Sequence, residues 1–334
     1  MAPLPSSSLH NLKGRVIVVT GGAQGIGAAT VYLLHSLGAH VVFGDIATSA
    51  GQLLESTLSS PSSESASSSE SETGEKGRVY FQTTDVTSYA SQLVLFEKAF
   101  LAFGRVDGAI TCAAVMEDPA WFSADISLDD VRAGGGEPVG ISKMVTTNLV
   151  SPLLFTRLAM AFIRASPPFS ATGNGEGAGE EESFIPSVTY TSSLAGLTPT
   201  PSPGMTVYST TKHGLVGLTR SLPGNAGKVR FNAVCPSAAD TGLLPDVVKD
   251  LWRAAGFRIQ SPEAVAQVLV QCVADARLDR RTVVVAGGEA WEAEEELEGV
   301  RGVWLGEENA REVEESGAFF VSFLPLSLSL SLSL

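Results

Sequence analysis

Tyr208 and Lys212 are four positions apart in the run YSTTK. Residues i and i+4 share one face of a helix, so the phenol and the ammonium would lie side by side. A nearby positive charge favours the phenolate and predicts a tyrosine pKa below its ordinary value of about 10. Such a pair can act as general acid and base on an alcohol or carbonyl oxygen. The same spacing also occurs on helices with a packed tyrosine beside a solvated lysine. The neighbouring segments must therefore decide between a catalytic and a purely structural pair.

A glycine-rich turn, TGGAQGIG over residues 20–27, follows a short apolar strand pattern and precedes a helix pattern over residues 25–37. Glycines permit a tight turn and the close approach of a pyrophosphate to the N-terminus of the following helix. The next predicted strand, residues 40–44, ends at Asp45, whose carboxylate can bind ribose hydroxyls and would repel a 2′-phosphate. These features predict a dinucleotide site that takes NAD rather than NADP. The alternatives are a purely structural turn and a helix-capping role for Asp45.

Strand and helix patterns alternate along the chain, which predicts an α/β fold with a doubly wound, Rossmann-like parallel sheet. We predict a single domain over residues 12–288. The predicted strands cover residues 15–20, 40–44, 78–83, 106–112, 185–191, 229–235 and 282–286. Further helices are predicted over residues 88–103 and 141–165, from Tyr208 to about 222, and from Pro262 onwards.

Two inserts and a C-terminal extension interrupt or follow this pattern. Residues 56–77 are rich in serine, and residues 166–183 are rich in Pro, Gly and Glu. Such sequences bury too little apolar surface to offset the entropy of ordering, so disordered inserts are predicted. A regulatory phosphorylation platform is the alternative for the first. Residues 289–334 form an acidic extension with a low-complexity Leu-Ser end, for which a membrane anchor is the less favoured interpretation.

Composition limits the kinds of partner and the compartment. Most of the formal net charge of −14 lies in the inserts and the extension, and the near-neutral remainder predicts no nucleic-acid binding. The three cysteines are far apart and lack CxxC spacing, which predicts neither a disulfide framework nor a metal site and fits a reducing, cytoplasmic environment. No signal peptide is indicated, and no run reaches the roughly 20 apolar residues of a membrane helix.

The glycine turn together with YSTTK resembles the short-chain dehydrogenase/reductase superfamily over about residues 12–288. The resemblance implies an NAD(P)-binding oxidoreductase that acts on a small-molecule alcohol or ketone, commonly as a homo-oligomer. With Asp45 from the strand pattern, the predicted cofactor contacts are Thr20, Gly21, Gln24, Gly25, Ile26, Gly27, Asp45, Asp85, Val86, Tyr208, Lys212, Pro236 and Thr241.

The resemblance also implies four catalytic roles. Tyr208 is the general acid/base, and Lys212 lowers the pKa of Tyr208 and holds the nicotinamide ribose. Ser193, with Ser192 as the alternative, polarises the substrate oxygen, and Asn148 supports a water in a proton relay. One departure is the run TCAA over residues 111–114, where the family usually has Asn-Asn-Ala-Gly, so amide contacts between strands are expected to be missing.

Apolar residues that flank the catalytic positions predict a fairly large hydrophobic substrate pocket. They are Met116, Trp121, Leu194, Met205, Leu243, Leu244, Trp252 and Phe257. The sequence thus predicts hydride transfer between NAD(H) and a hydrophobic secondary alcohol or ketone. A catalytically silent nucleotide-binding regulator and an interaction protein that acts through its acidic extension are the alternatives.

Overall fold

A computed structural model of the chain describes residues 9–60, 76–122, 125–133, 140–168, 184–198, 202–224 and 228–323. Most of both predicted inserts and the Leu-Ser end of the chain lie outside these residues. The beginning of the first insert differs from the prediction, because residues 56–59 complete a helix, α2 (Thr48–Ser59).

Among the described residues, eight strands form one sheet in the order β3-β2-β1-β4-β5-β6-β7-β8. The strands are β1 (Val16–Thr20), β2 (His40–Asp45), β3 (Val79–Thr83), β4 (Gly108–Thr111), β5 (Ser187–Thr191), β6 (Arg230–Pro236), β7 (Arg281–Ala286) and β8 (Glu289–Glu292). All neighbouring pairs up to β7 are parallel, and β8 is antiparallel to β7. The predicted Rossmann-like α/β class is confirmed. The order of strands reverses between β1 and β4, and such sheets bind ligands beyond the carboxyl ends of the strands at this point.

The alternation of buried residues along β1 explains how helices cover both faces of the sheet. Ile17 and Val19 belong to a first buried apolar cluster, and Val16 and Val18 belong to a second one on the opposite face. A parallel strand covered on both faces needs apolar side chains at consecutive positions, as the run VIVVT provides.

The remaining helices follow the strands in the order expected for βα units. They are α1 (Gly25–Ser36), α3 (Tyr89–Phe103), α4 (Leu128–Ala133), α5 (Ile141–Val145), α6 (Ser151–Ala165), α7 (Thr206–Ser221), α8 (Asp246–Ala254), α9 (Pro262–Ala274), α10 (Glu294–Gly299), α11 (Arg301–Leu305) and α12 (Glu307–Phe323). Side chains from α1 and α9 belong to the first cluster, and side chains from α3 and α6 to the second. Helices α4 and α8, and the helices α10 to α12 of the extension, are absent from the sequence-based prediction.

The single helix predicted over residues 141–165 contains a π-helical turn, Thr146–Val150, between α5 and α6. By length and composition alone, this 25-residue helix is long and apolar enough to cross a membrane, against the expectation from the sequence. Half of the most apolar 18-residue stretch of this helix is buried within the protein, as in the core helix of a globular domain. Its Phe155 packs within the second cluster against Phe96 of α3, with the two rings tilted by 51°.

The strand β8 was not predicted, and its four residues were assigned to the extension. Gly287 and Gly288 connect β7 to β8 and have positive φ angles of 62° and 84°. Two adjacent glycines with positive φ form the tight turn that joins antiparallel strands. Among the described residues, 293–323 belong to a second compact unit, which contains α10, α11 and α12.

Candidate active site

The glycine turn joins the end of β1 to the start of α1 at the carboxyl edge of the sheet. Gly21 and Gly25 have positive φ angles of 66° and 52°, a conformation that favours glycine. A Cβ atom on Gly27 would lie 1.9 Å from the carbonyl oxygen of Gly21, so a side chain does not fit there. Gln24 precedes α1 with an extended backbone, and its side chain does not cap the helix. The uncapped start of α1 therefore fits the pyrophosphate of a dinucleotide.

Asp45 ends β2 and ties this strand to the glycine turn. Its Oδ2 accepts a hydrogen bond from the N–H of Ala23 at 3.0 Å, and its Oδ1 accepts one from the N–H of Ala47 at 2.9 Å. Each carboxylate oxygen can accept a further hydrogen bond. Asp45 therefore offers two fixed acceptors to hydroxyl groups beside the glycine turn.

Asp85 and Val86 form a rigid loop after β3. Asp85 Oδ1 accepts hydrogen bonds from the backbone N–H and the hydroxyl of Thr87, at 2.9 Å and 2.7 Å. These bonds hold the pKa of Asp85 below its ordinary value. Val86 is buried, and its carbonyl accepts a hydrogen bond from Gln92 Nε2 at 2.6 Å. The loop thus has a fixed conformation at the predicted adenine position.

The segment after β6 covers the glycine turn from the other side. Pro236 is the last residue of β6, and the side chain of Thr241 lies so close to Gly25 that an added Cβ there would be 3.2 Å from it. Thr20, at the end of β1, is buried, and the side chain of Ile26 packs against the core. The structure therefore brings the predicted contacts from β1, α1 and β6 together.

Tyr208 lies in the first turn of α7, and only 8% of it is exposed. Its hydroxyl lies beside the side chain of Ser193, which favours the phenolate form. Lys212 lies one helical turn further on and is 3% exposed. Its Nζ donates a hydrogen bond to the carbonyl oxygen of Thr191 at 2.8 Å and lies 5.5 Å from the centroid of the Tyr208 ring. The predicted phenol, serine and ammonium thus share one buried site at the end of β5.

The structure distinguishes the two candidate serines. The hydroxyl of Ser192 donates to the backbone carbonyl of Lys212 at 2.8 Å and thereby attaches α7 to the end of β5. The hydroxyl of Ser193 accepts a weak hydrogen bond from the N–H of Ala195 at 3.2 Å and lies beside the hydroxyl of Tyr208. Of these two, Ser193 is therefore the one whose hydroxyl is directed to Tyr208, and its contact with a substrate oxygen stays a prediction.

Burial dominates the acid–base behaviour of the tyrosine and the lysine. It raises the pKa of Tyr208, although the hydrogen bond with Ser193 acts in the opposite direction. Burial also lowers the pKa of Lys212 from its ordinary value of 10.5 to about 8, partly opposed by Cys235 and Cys112. The prediction that Lys212 lowers the pKa of Tyr208 below its ordinary value is therefore wrong for this structure, because desolvation of the phenol outweighs other effects.

Asn148 lies in the π-helical turn and is 1% exposed. Its Nδ2 donates to the carbonyl oxygen of Val115 at 2.9 Å, and its Oδ1 accepts from the N–H of the same residue, also at 2.9 Å. Helical turns of this type often occur at functional sites. The side chain holds the chain segment that follows β4, and its support of a water in a proton relay stays a prediction.

The TCAA run keeps its connections to the sheet despite its unusual residues. The N–H of Cys112 donates to the carbonyl oxygen of Thr20 at 2.9 Å, which continues the pairing of β4 with β1. Its Sγ lies 3.4 Å from Thr191 Oγ1 on β5. Burial raises the pKa of the Cys112 thiol to about 11, so it stays protonated near neutral pH. A thiol–hydroxyl contact therefore links these strands in place of the amide contacts that are expected to be missing.

The eight residues predicted to line the substrate pocket divide into groups. Met116, Trp121 and Met205 pack around Tyr208 in a small apolar cluster that also contains Met144. Leu243, Trp252 and Phe257 are exposed, and the two aromatic rings contact each other edge to face at 5.6 Å. Leu194 and Leu244 are half-buried. Of these groups, only the first belongs to the apolar cluster of Tyr208.

Glu117 is the residue of this site that the sequence-based prediction missed. It is 6% exposed and accepts hydrogen bonds from the backbone N–H groups of Val207 and Tyr208. The available signal was Glu117 itself, which follows Met116 directly at the end of an apolar run and precedes Asp118. Charged residues in such surroundings are seldom buried without a partner.

Comparisons with known proteins identify the family of the chain. The sequence profile described as short chain dehydrogenase matches residues 15–252. A short-chain dehydrogenase/reductase called ascJ, from Acremonium egyptiacum, is 28% identical over 298 residues, which cover 88% of this chain and 86% of the relative. The 15-hydroxyprostaglandin dehydrogenase (NAD+) of Homo sapiens is 29% identical over 245 residues, covering 72% of this chain and 74% of the relative.

A solved structure shows the same fold. The short-chain dehydrogenase/reductase from Serratia marcescens superposes with a TM-score of 0.61 at 21% sequence identity. The match covers 84% of this chain and 99% of the other. At this identity the likeness supports the architecture of the sheet and helices only.

Proposed function

Because the chain belongs to the short-chain dehydrogenase family of nicotinamide-binding oxidoreductases, we propose that it transfers a hydride between NAD(H) and a secondary alcohol or ketone. The observation that carries this proposal is that Tyr208, Ser193 and the ammonium of Lys212 lie together in one largely buried site at the end of β5. This group lies at the same edge of the sheet as the uncapped start of α1.

Each side chain has a distinct role in the proposed reaction. A bound nicotinamide would give or take the hydride at the substrate carbon. Tyr208 gives a proton to the substrate oxygen during reduction and takes one during oxidation. Ser193 donates a hydrogen bond to the same oxygen. Lys212 uses one N–H for Thr191 and can direct the others to the hydroxyls of the nicotinamide ribose.

Asp45 supports NAD(H) as the preferred cofactor. Its carboxylate is fixed by Ala23 and Ala47, and the residues that follow, Ile46 to Thr48, carry no positive charge. A 2′-phosphate there would meet a negative charge with no adjacent cation, whereas ribose hydroxyls would meet two acceptors. The human relative, which is named for NAD(+), agrees with this preference.

Replacing Asp45 by alanine is expected to narrow the preference for NAD(H) over NADP(H), because the carboxylate no longer binds the ribose hydroxyls or repels the phosphate. Asp45→Asn is the matched control, since it removes the charge but keeps oxygen and nitrogen atoms near Ala23 and Ala47. The measurement is kcat/KM for both cofactors with each variant. A wild-type protein that already prefers NADPH would contradict the assignment.

The substrate is proposed to be hydrophobic. Met116, Trp121 and Met205 surround Tyr208, and such side chains favour apolar rings or chains next to the reacting carbon. The name of the human relative specifies a hydroxylated prostaglandin, a molecule with long apolar chains. Small polyols would leave these side chains in contact with polar groups and should be poor substrates.

Turnover of a substrate panel tests the proposal directly. The purified chain is incubated with NAD+ and either bulky apolar secondary alcohols or small polyols, and formation of the reduced nicotinamide is followed by absorbance. We expect turnover with apolar alcohols at the higher kcat/KM. Cofactor binding without turnover of any alcohol or ketone would instead support a silent nucleotide-binding regulator.

A further inference from the structure

The catalytic helix α7 receives its N-terminal cap from a distant part of the chain. Met205, the residue before the helix, makes no capping hydrogen bond with its side chain. Instead, Glu117 Oε2 accepts from the N–H groups of Val207 and Tyr208, at 2.6 Å and 3.0 Å. These are the second and third residues of α7, whose N–H groups an ordinary capping residue would bind. The carboxylate thus holds the backbone of the proposed acid/base itself.

The same short segment is attached to the helix that carries Asn148. Two residues before Glu117, Val115 exchanges both of its backbone hydrogen bonds with the Asn148 side chain. The segment from Val115 to Glu117 therefore connects the π-helical turn to the start of α7. Any shift of this segment would move Tyr208 relative to the end of β5, where Ser193 lies.

Stability alone does not account for this arrangement. Glu117 Oε1 is buried, and no hydrogen-bond partner lies within reach of it among the residues that the structure describes. A buried polar atom without a partner destabilises a fold. A serine or aspartate at position 205 would cap α7 locally without burying such an atom. The carboxylate of Glu117 instead couples α7 to the segment beside the site.

We propose that Glu117 is a positioning residue for the reaction, an inference that rests on the proposed function. Its carboxylate sets the start of α7 and thereby places the Tyr208 hydroxyl within reach of Ser193 and the substrate oxygen. Proton transfer requires hydrogen-bond distances among these groups, so a small displacement of Tyr208 lowers the rate while the cofactor site stays intact.

Three substitutions test this role. Glu117→Leu removes both acceptors, Glu117→Asp shortens the side chain, and Glu117→Gln keeps an acceptor oxygen at the same distance. We expect kcat to fall by about 10- to 100-fold in the Leu and Asp variants, with NAD affinity unchanged. The Gln variant should keep most of the wild-type kcat. Glu55→Leu is the matched control, because Glu55 also accepts a backbone hydrogen bond, from Phe81, but lies on α2.

Two results would overturn the proposal: unchanged kcat in Glu117→Leu, or a loss in Glu117→Gln as large as in the other variants. If the Leu variant does not fold, the comparison of Gln with Asp decides.

Amide hydrogen exchange at Val207 and Tyr208 is measured on the same proteins. Faster exchange in the Asp variant but not in Gln supports the cap even if no alcohol is turned over, and unchanged exchange contradicts it. A failure of the proposed function is thereby distinguished from a failure of this inference.

Discussion

Tyr208→Phe is expected to lower turnover by a factor of at least about 10² to 10⁴, the usual contribution of a general acid or base. The substitution removes one hydroxyl and little volume from a residue that is 8% exposed, so the fold should persist. Ser193 loses its partner but keeps the N–H of Ala195. NAD affinity, measured by fluorescence, should change little, while the rate measured by absorbance collapses.

Tyr190→Phe provides the control for this experiment. Tyr190 is also fully buried, and its hydroxyl is hydrogen-bonded to Thr156 Oγ1 at 2.7 Å. The same chemical change should therefore lower stability there without affecting the chemical step. If Tyr208→Phe keeps more than about a tenth of the wild-type rate, Tyr208 is not the general acid/base, since loss of such a group costs far more.

The sequence predicted the architecture well because its signals are local. The run VIVVT has the consecutive apolar residues of a parallel strand covered on both faces. In the turn after it, a Cβ atom added to Gly21 or Gly27 would lie 2.4 Å or 1.9 Å from backbone atoms, so neither position accepts a side chain. The antiparallel β8 was missed because its residues, EAWE, carry the same acidic composition as the extension. The paired glycines before it were the signal for a tight turn.

The site was predictable in its residue types but not in its energetics. Tyr208 and Lys212 are four positions apart, and this spacing correctly places both on one helix face. It says nothing about how deeply the two side chains are buried. Desolvation depends on every segment packed around the pair, and it sets the direction of both pKa shifts. Glu117 was missed for a similar reason, since its partners lie 90 and 91 residues away in the sequence.

Lys212→Met is expected to abolish most turnover and at the same time to stabilise the fold at neutral pH. Burial lowers the pKa of Lys212 from 10.5 to about 8, which corresponds to a penalty of about 3 kcal/mol for the buried ammonium at 1.36 kcal/mol per pKa unit. Loss of the hydrogen bond to Thr191 offsets about 2 kcal/mol of this gain. The folded Lys212→Met variant is therefore expected to be about 1 kcal/mol more stable than the wild type, because methionine fills a similar space without a buried charge.

The pH dependence distinguishes this explanation from a simple packing effect. Below pH 8 both the folded and the unfolded chain hold the Lys212 proton, and the wild type carries the whole penalty. Between pH 8 and 10.5 the unfolded chain binds more protons, so the stability of the wild type rises with pH and the advantage of methionine disappears. Denaturant unfolding of both proteins across this range measures the difference.

Lys98→Met is the control, since the half-buried Lys98 also donates to a backbone carbonyl, that of Phe81. A Lys212→Met variant that loses stability at pH 7, or whose stability relative to the wild type does not depend on pH, would show that the ammonium is not held in the folded protein at an energetic cost.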